Sequence, residues 1–200
     1  MAEPDDADTV LVERARQGEQ EAFSQLVERH QQPLGGYLFH LLGDRDLALD
    51  LTQDTFVRAY TALSATRPGL AIRPWLFRIA TNLAYDALRR RRRIRWFPLG
   101  IVEHHHASGV EGQLEEREVV RMALARLHPV EQAVLILCTV ERHSYVEVAA
   151  SLSSSPDAIR KRLDRAKQHF RTAYADITDD ATATTSVASD RGQRQHRPRA

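Results

Sequence analysis

Two hundred residues suffice for one medium domain or two small ones, and 42% apolar with 28% charged side chains is the composition of a soluble chain with real cores. A single cysteine, Cys138, excludes an internal disulfide and fits a reducing cytosol. No apolar run approaches the ~20 residues needed to cross a bilayer, and the N-terminus carries Glu3, Asp5, Asp6 and Asp8 where a secretory signal needs bases. A cytoplasmic protein with no membrane insertion is therefore expected. The net charge of +1 says little about partners, but its distribution says more: six of the seven residues from Arg89 to Arg95 are arginine, and such a run usually seeks phosphate or else is a solvated face.

Strand signals are scarce, and helix-period patterns fill most of the chain. Residues 1–7 read as a disordered start. Helices follow at roughly 8–17, 19–42, 45–63 and 72–93. In the third, Ala48, Thr52, Thr55, Phe56, Ala59 and Leu63 point one way, while Asp50, Gln53, Asp54, Val57 and Thr61 point the other. That outer face is acidic with one apolar residue inside it. It is poor for DNA and suited to a basic protein partner, and periodicity alone equally allows a plain solvated face.

In the fourth helix Leu76, Ile79, Ala80, Leu83 and Ala87 form a core stripe. Beside it run Trp75, Arg78, Asn82, Tyr85 and Arg89, at i, i+3, i+7, i+10 and i+14, and Arg90 extends the set. Cations can meet phosphates, an amide can read a base edge, and aromatics can stack on exposed bases. Trp75 as a core residue and Asn82 as a solvated amide remain open alternatives.

Residues 94–112 interrupt the helices with Pro98, Gly100, Gly109, Gly112 and the run His104-His105-His106. Adjacent histidines point in different directions, and no cysteine or carboxylate constellation completes a metal site. The run reads as linker, and no cofactor is expected. The linker separates a module at about 8–93 from one at about 113–175.

The second module reads as helices at roughly 113–127, 130–141, 144–152 and 156–174. Cys138 lies in the apolar run Val134 to Val140 and reads as core. Ser144-Tyr-Val-Glu147 is a capping box, Ser153-Ser154-Ser155 breaks the helix, and Ser155 followed by Pro156 and Asp157 is a strong helix start. Ile159, Leu163, Ala166 and Phe170 line one face of the last helix. The other carries Asp157, Ala158, Lys161, Asp164 and Arg165, flanked by Arg160, Arg162 and Lys167. Two short helices, a tight turn and a basic outer face describe a helix-turn-helix whose second helix would enter a major groove; an ordinary helical hairpin with a solvated basic face is the alternative. Residues 176–200, rich in Thr, Ser, Asp and Arg, hold too little apolar surface to offset ordering entropy and read as a disordered tail.

The segment Asp50-Leu-Thr-Gln-Asp-Thr-Phe-Val-Arg-Ala-Tyr60 resembles region 2.2 of bacterial sigma factors. Pro74-Trp-Leu-Phe-Arg-Ile-Ala-Thr-Asn-Leu-Ala-Tyr-Asp-Ala-Leu-Arg-Arg90 resembles regions 2.3–2.4. Leu124 to Gln132, with Ser144 to Ala149 and Ile159 to Leu163, resembles region 4. Their order and spacing over residues 8–175 are similar to the extracytoplasmic-function class, which has only the second and fourth sigma domains. The resemblance implies an all-α chain of two small helical domains and a non-enzymatic subunit directing core RNA polymerase to promoter DNA, with a stress- or signal-responsive regulon.

Position by position, it implies that Asp50, Gln53, Asp54 and Val57 dock on the clamp helices of the largest polymerase subunit. Trp75, Arg78, Asn82, Tyr85, Arg89 and Arg90 engage the minus-ten element, and the loop Ser64 to Ala71 helps hold a flipped base. Asp157, Ala158, Arg160, Lys161, Arg162 and Arg165 meet the minus-thirty-five element. The flap of the second-largest subunit is a further contact, the linker threads toward the RNA path, and an anti-sigma protein is a partner that many members have. Three departures stand out: Ser154 where an apolar residue packs the turn, Asp157 and Ala158 where glycine and threonine are common, and His143 in place of a common leucine. They predict a looser turn and an unusual base preference. A free-standing helix-turn-helix regulator and a helical interaction protein without a DNA role are the competing readings. No phosphate-cradling glycine loop, Gly-x-Ser-x-Gly motif or ordered triad argues for catalysis.

Overall fold

The computed structural model describes the backbone of residues 6–95 and 111–194, and the side chains of residues 7–91 and 116–179. The expectations for Glu3, Asp5, the linker with His104 to His106, and the extreme tail lie outside the described residues. Eight helices form: α1 (Asp6–Arg16), α2 (Gln20–Leu42), α3 (Arg45–Leu63), α4 (Ile72–Arg95), α5 (Glu111–Arg126), α6 (Pro129–Thr139), α7 (Tyr145–Ser151) and α8 (Pro156–Arg194). No strand occurs among the described residues, as the all-α reading expects.

The first four helices make a bundle. Gly43 ends α2 in the left-handed region (φ 66°), donating its N–H to the Phe39 carbonyl at 2.8 Å; glycine adopts this conformation without a Cβ penalty. Asp44 immediately starts α3, its Oδ1 accepting from the Leu47 N–H at 3.0 Å. The helical period then buries Ala48, Thr52, Thr55, Phe56, Ala59 and Leu63 of α3, with Leu51 beside them. On α4 it buries Leu76, Ala80, Leu83 and Ala87, while Ile79 is only half-buried. Tyr37 of α2 is fully buried, and its hydroxyl pairs with Thr81 Oγ1 of α4 at 2.7 Å. α1 is tied on by Asp8, which contacts His30 Nε2 at 2.8 Å and Arg29 at 3.1 Å.

The last four helices make the second module. Ile159, Leu163 and Ala166 of α8 pack against α6 and α7. A small separate cluster of Ala123, Ala173 and Ile177 joins α5 to the later turns of α8. Ala173 and Ile177 carry the apolar period past Phe170 against α5, and α8 runs beyond the expected end at 174. The helix runs on to Arg194, where the composition had suggested disorder.

The modules are not separate bodies. One buried cluster runs from Leu11 through Phe77 and Ile136 to Ala166, and α7 lies on α4 while α6 lies on α2. Polar ties cross the seam. Arg73 donates to the Glu141 carbonyl at 2.8 Å, Ser151 Oγ to the Pro74 carbonyl at 3.1 Å, and Gln132 Nε2 to the His40 and Leu41 carbonyls at 3.3 Å each.

Candidate functional site

Three surfaces carry the residues that the sequence singles out. The first is the outer face of α3. Asp50, Gln53, Asp54 and Val57 are all exposed, Val57 at 63%. No described cation pairs with Asp50 or Asp54. Val57 thus lies exposed on the same face as two carboxylates that no described cation neutralises. Leu49, also exposed, adjoins Asp50 and adds to the patch.

The second surface is on α4. Arg78, Asn82, Arg89 and Arg90 are exposed, whereas Trp75 and Tyr85 are half-buried and pack on the core. Trp75 is therefore partly a core residue, with the remainder of its side chain at the surface. Tyr85 is less free than its spacing suggests, because its hydroxyl donates to the Pro129 carbonyl of α6 at 3.3 Å and burial pushes its ionisation up. The arginine run is also less bare than its sequence. Arg89 pairs with Asp86, and Arg91 reaches Oδ2 of Asp44. The Leu47 N–H, chiefly, and Arg91 hold the Asp44 carboxyl below the usual range, against a desolvation that raises it. Arg90 is left exposed and unpaired among the described residues.

The third surface is the helix-turn-helix. The capping box forms as the sequence predicts: Ser144 Oγ accepts from the Glu147 N–H at 3.3 Å, and the Ser144 N–H donates to Glu147 Oε2 at 2.8 Å. Ser155 Oγ accepts from the Ala158 N–H at 3.2 Å. The turn between is closed by the Ser154 N–H on the Ala149 carbonyl at 2.9 Å, with Ser153 at φ 50°. A serine thus occupies a left-handed position that glycine fills more easily. Asp157, Arg160, Lys161 and Arg165 are exposed on α8, Ala158 and Arg162 half-buried. Arg160 makes only a loose pair with Asp157 at 3.9 Å, so these cations are available to phosphate.

What sequence reasoning missed is the seam. The C-terminal module lies along one edge of the α4 stripe, and a cavity of about 230 Å³ lies between Arg78, Asn82 and Tyr85 on one side and Val130, Ser151 and Ser153 on the other. His143 is 4% exposed and packs edge-on to Phe77 of α4, ring centroids 4.5 Å apart. Both its ring nitrogens lack a hydrogen-bond partner, and burial, reinforced by Arg73, pushes its pKa down to about 4. It sits as a leucine would, which its departure from the family pattern could have suggested. Cys138 is half-buried with its thiol pushed up by burial to about 11, an unreactive core-edge position. No group of metal-ligating side chains occurs among the described residues, and no helix there is long and apolar enough to cross a membrane.

Comparison with known proteins agrees with this layout. Residues 26–94 match the family model for Sigma-70 region 2, and residues 117–170 that for Sigma-70, region 4. The chain is 32% identical to the RNA polymerase sigma factor CarQ of Myxococcus xanthus, over 83% of this chain and 97% of that one. It is 30% identical to the ECF RNA polymerase sigma-E factor of Escherichia coli, over 80% and 91%. The structure of CnrH in complex with the cytosolic domain of CnrY superposes with a TM-score of 0.66 at 31% identity, covering 87% of this chain and 98% of that one. The free-standing regulator and the interaction protein without a DNA role give way to this family. The chain belongs to the extracytoplasmic-function sigma factors of the sigma-70 family: a non-enzymatic subunit that binds core RNA polymerase and promoter DNA and directs promoter-specific transcription initiation.

Proposed function

We propose that the three surfaces divide the work of initiation among named residues. Asp50, Gln53, Asp54 and Val57 form the grip on the clamp helices of the largest polymerase subunit. Trp75, Arg78, Asn82, Tyr85, Arg89 and Arg90 read and hold the minus-ten element, with the loop from Ser64 to Ala71 beside a flipped base. Asp157, Ala158, Arg160, Lys161, Arg162 and Arg165 meet the minus-thirty-five element, and the second module also touches the flap of the second-largest subunit. Two modules, 8–93 and 113–175, act through the connector 94–112 in the cytoplasm, at a stress- or signal-responsive regulon.

The observation that carries this reading is the segregation of charge. Unpaired carboxylates around exposed Val57 occupy α3, and accessible cations occupy α4 and α8. A duplex repels the first surface and attracts the other two. Unstacking a base costs a few kcal/mol, which the aromatic and cationic groups of α4 are placed to offset. CnrH was solved with the cytosolic domain of CnrY, and an anti-sigma protein of that kind is the further partner we assign to this chain.

The test is co-purification with core polymerase and run-off transcription on a promoter library. Asp50→Arg with Asp54→Arg should abolish co-purification while far-UV circular dichroism stays unchanged. Undiminished co-purification would refute the α3 assignment.

A further inference from the structure

Resting on the assignment of α8 to the minus-thirty-five element, we propose that the centre of its outer face reads bases while the borders grip phosphates. Asp157 and Lys161 together demand a cytosine and a guanine no more than about two base steps apart.

Helical geometry separates the two sets of side chains. At about 100° per residue, Asp157, Lys161, Asp164 and Gln168 fall within an arc of roughly 60°. Ile159, Leu163 and Ala166, packed against α6 and α7, lie on the opposite side. The first four therefore stand furthest from the core, and all are exposed. Arg160 and Arg171 border this stripe on one side and Arg165 on the other, and these too are exposed. A helix that enters a major groove N-terminus first turns its central stripe to the base edges and its borders to the phosphates. Arginines suit the borders, whereas the stripe between them begins carboxylate, ammonium, carboxylate.

A carboxylate is repelled by phosphate, so two of them at the centre of a DNA surface need another purpose. Asp157 is the clearer case. Its side chain is 86% exposed, and among the described residues it makes only a loose pair with Arg160 at 3.9 Å. An aspartate in the first turn also suits the positive end of the helix, but that role leaves Lys161 without one. Lys161 stands at the spacing where a carboxylate and an ammonium pair along a helix, yet no ion pair joins it to Asp157. Among the described residues neither Lys161 nor Asp164 has a charged partner.

The base edges then decide what each group can meet. An ionised carboxylate only accepts hydrogen bonds. In the major groove guanine offers acceptors at N7 and O6, and thymine an acceptor beside a methyl group. Adenine sets its N6 amino group beside the N7 acceptor, and cytosine offers the N4 amino group alone. Cytosine is thus the one base that gives Asp157 a donor without setting an acceptor against its second oxygen. An ammonium only donates, and guanine presents two acceptors to Lys161. The two side chains are about 6 Å apart along the helix at 1.5 Å per residue, no more than about two base steps of ~3.4 Å. A wrong base at either place leaves a desolvated charge unpaired, so each preference should be on the order of tenfold or more.

The test is transcription by holoenzyme from a promoter library randomised across the minus-thirty-five element. The full chain is used as wild type, Asp157→Ala, Asp157→Asn and Lys161→Ala. Wild type should select a cytosine and a guanine within about two base steps, each favoured roughly tenfold. Asp157→Ala should flatten the cytosine position alone, and Lys161→Ala the guanine position alone. Asp157→Asn should move the first preference to adenine, whose N6 and N7 a carboxamide pairs with together. This near-isosteric variant decides the matter if the alanine variant loses its helical signal. A cytosine preference that survives Asp157→Ala, or a loss spread evenly over all positions, overturns the proposal, as does a wild-type element with no such pair. Arg160→Ala with Arg165→Ala distinguishes this from failure of the α8 assignment. Unchanged salt dependence of promoter binding in that double variant places α8 outside the interface. A shallower salt dependence there, with every wild-type preference kept by the Asp157 variants, refutes base reading alone.

Discussion

Replacing His143 by leucine should stabilise the protein, and by an amount that grows as pH falls. In the folded chain His143 is buried on Phe77 with neither ring nitrogen hydrogen-bonded, and its pKa lies at about 4. The same imidazole in an unfolded chain titrates near ~6.5. The folded state therefore binds fewer protons than the unfolded state between these values. Its stability contribution is fully present above about pH 6.5 and drains away as pH drops toward 4. Between pH 7 and pH 5 this one group costs the wild type about 2 kcal/mol by linkage. A leucine of similar bulk has no proton to take up, and at pH 7 it also removes the desolvation of an unsatisfied polar group, about 1–3 kcal/mol. Urea denaturation followed by circular dichroism at pH 7, 6 and 5 measures both effects. Apart from Glu147, which His143 itself influences, the carboxylates titrate alike in the two proteins, so the wild-type-to-leucine difference isolates the histidine together with its coupling to Glu147. A difference that stays constant from pH 7 to pH 5 would refute the burial argument, and a leucine variant less stable than wild type at pH 7 would show that the imidazole has a partner.

Ser144→Ala removes the acceptor of the Glu147 N–H and should cost about 1 kcal/mol, read as a lowered urea midpoint with an unchanged m-value. Arg160→Ala with Arg165→Ala removes two exposed cations from α8; the slope of log affinity against log salt for promoter DNA should become shallower by roughly 2, and an unchanged slope would remove α8 from the interface. Tyr37→Phe leaves Thr81 its bond to the Phe77 carbonyl at 2.6 Å, so thermal unfolding should show a loss of about 1 kcal/mol, well short of a core cavity.

The periodic positions were legible because burial and helix period coincide there. Ala48, Thr52, Phe56, Leu76, Ala80, Leu83, Ile159 and Leu163 repeat at helical spacing, and all are buried. The capping box at Ser144 and the start at Ser155 were equally readable, since both depend only on groups three residues apart. Three things were not. Spacing leaves Tyr85 open between core and surface because its partner, the Pro129 carbonyl, is 44 residues away and is backbone, with no side-chain signature. The salt links Arg89–Asp86 and Arg91–Asp44 soften a run that looks wholly bare in one dimension. The course of α8 past residue 174 takes Ile177 onto α5 beside Ala173, a tertiary contact that composition does not show. Of the candidate sites, α3 and the outer face of α8 were visible as faces. The seam across α4 was not, because Arg73, Gln132 and Ser151 all cross it by bonding main-chain carbonyls.

Asp44 divides its two oxygens between different tasks: Oδ1 starts α3 and Oδ2 receives Arg91 from the basic end of α4. The guanidinium can therefore be surrendered to a phosphate without unravelling the first turn of α3, whose carboxylate face we assign to polymerase. On the proposed assignment, one aspartate at this corner would let the chain lend a cation to its template and keep its hold on the machine.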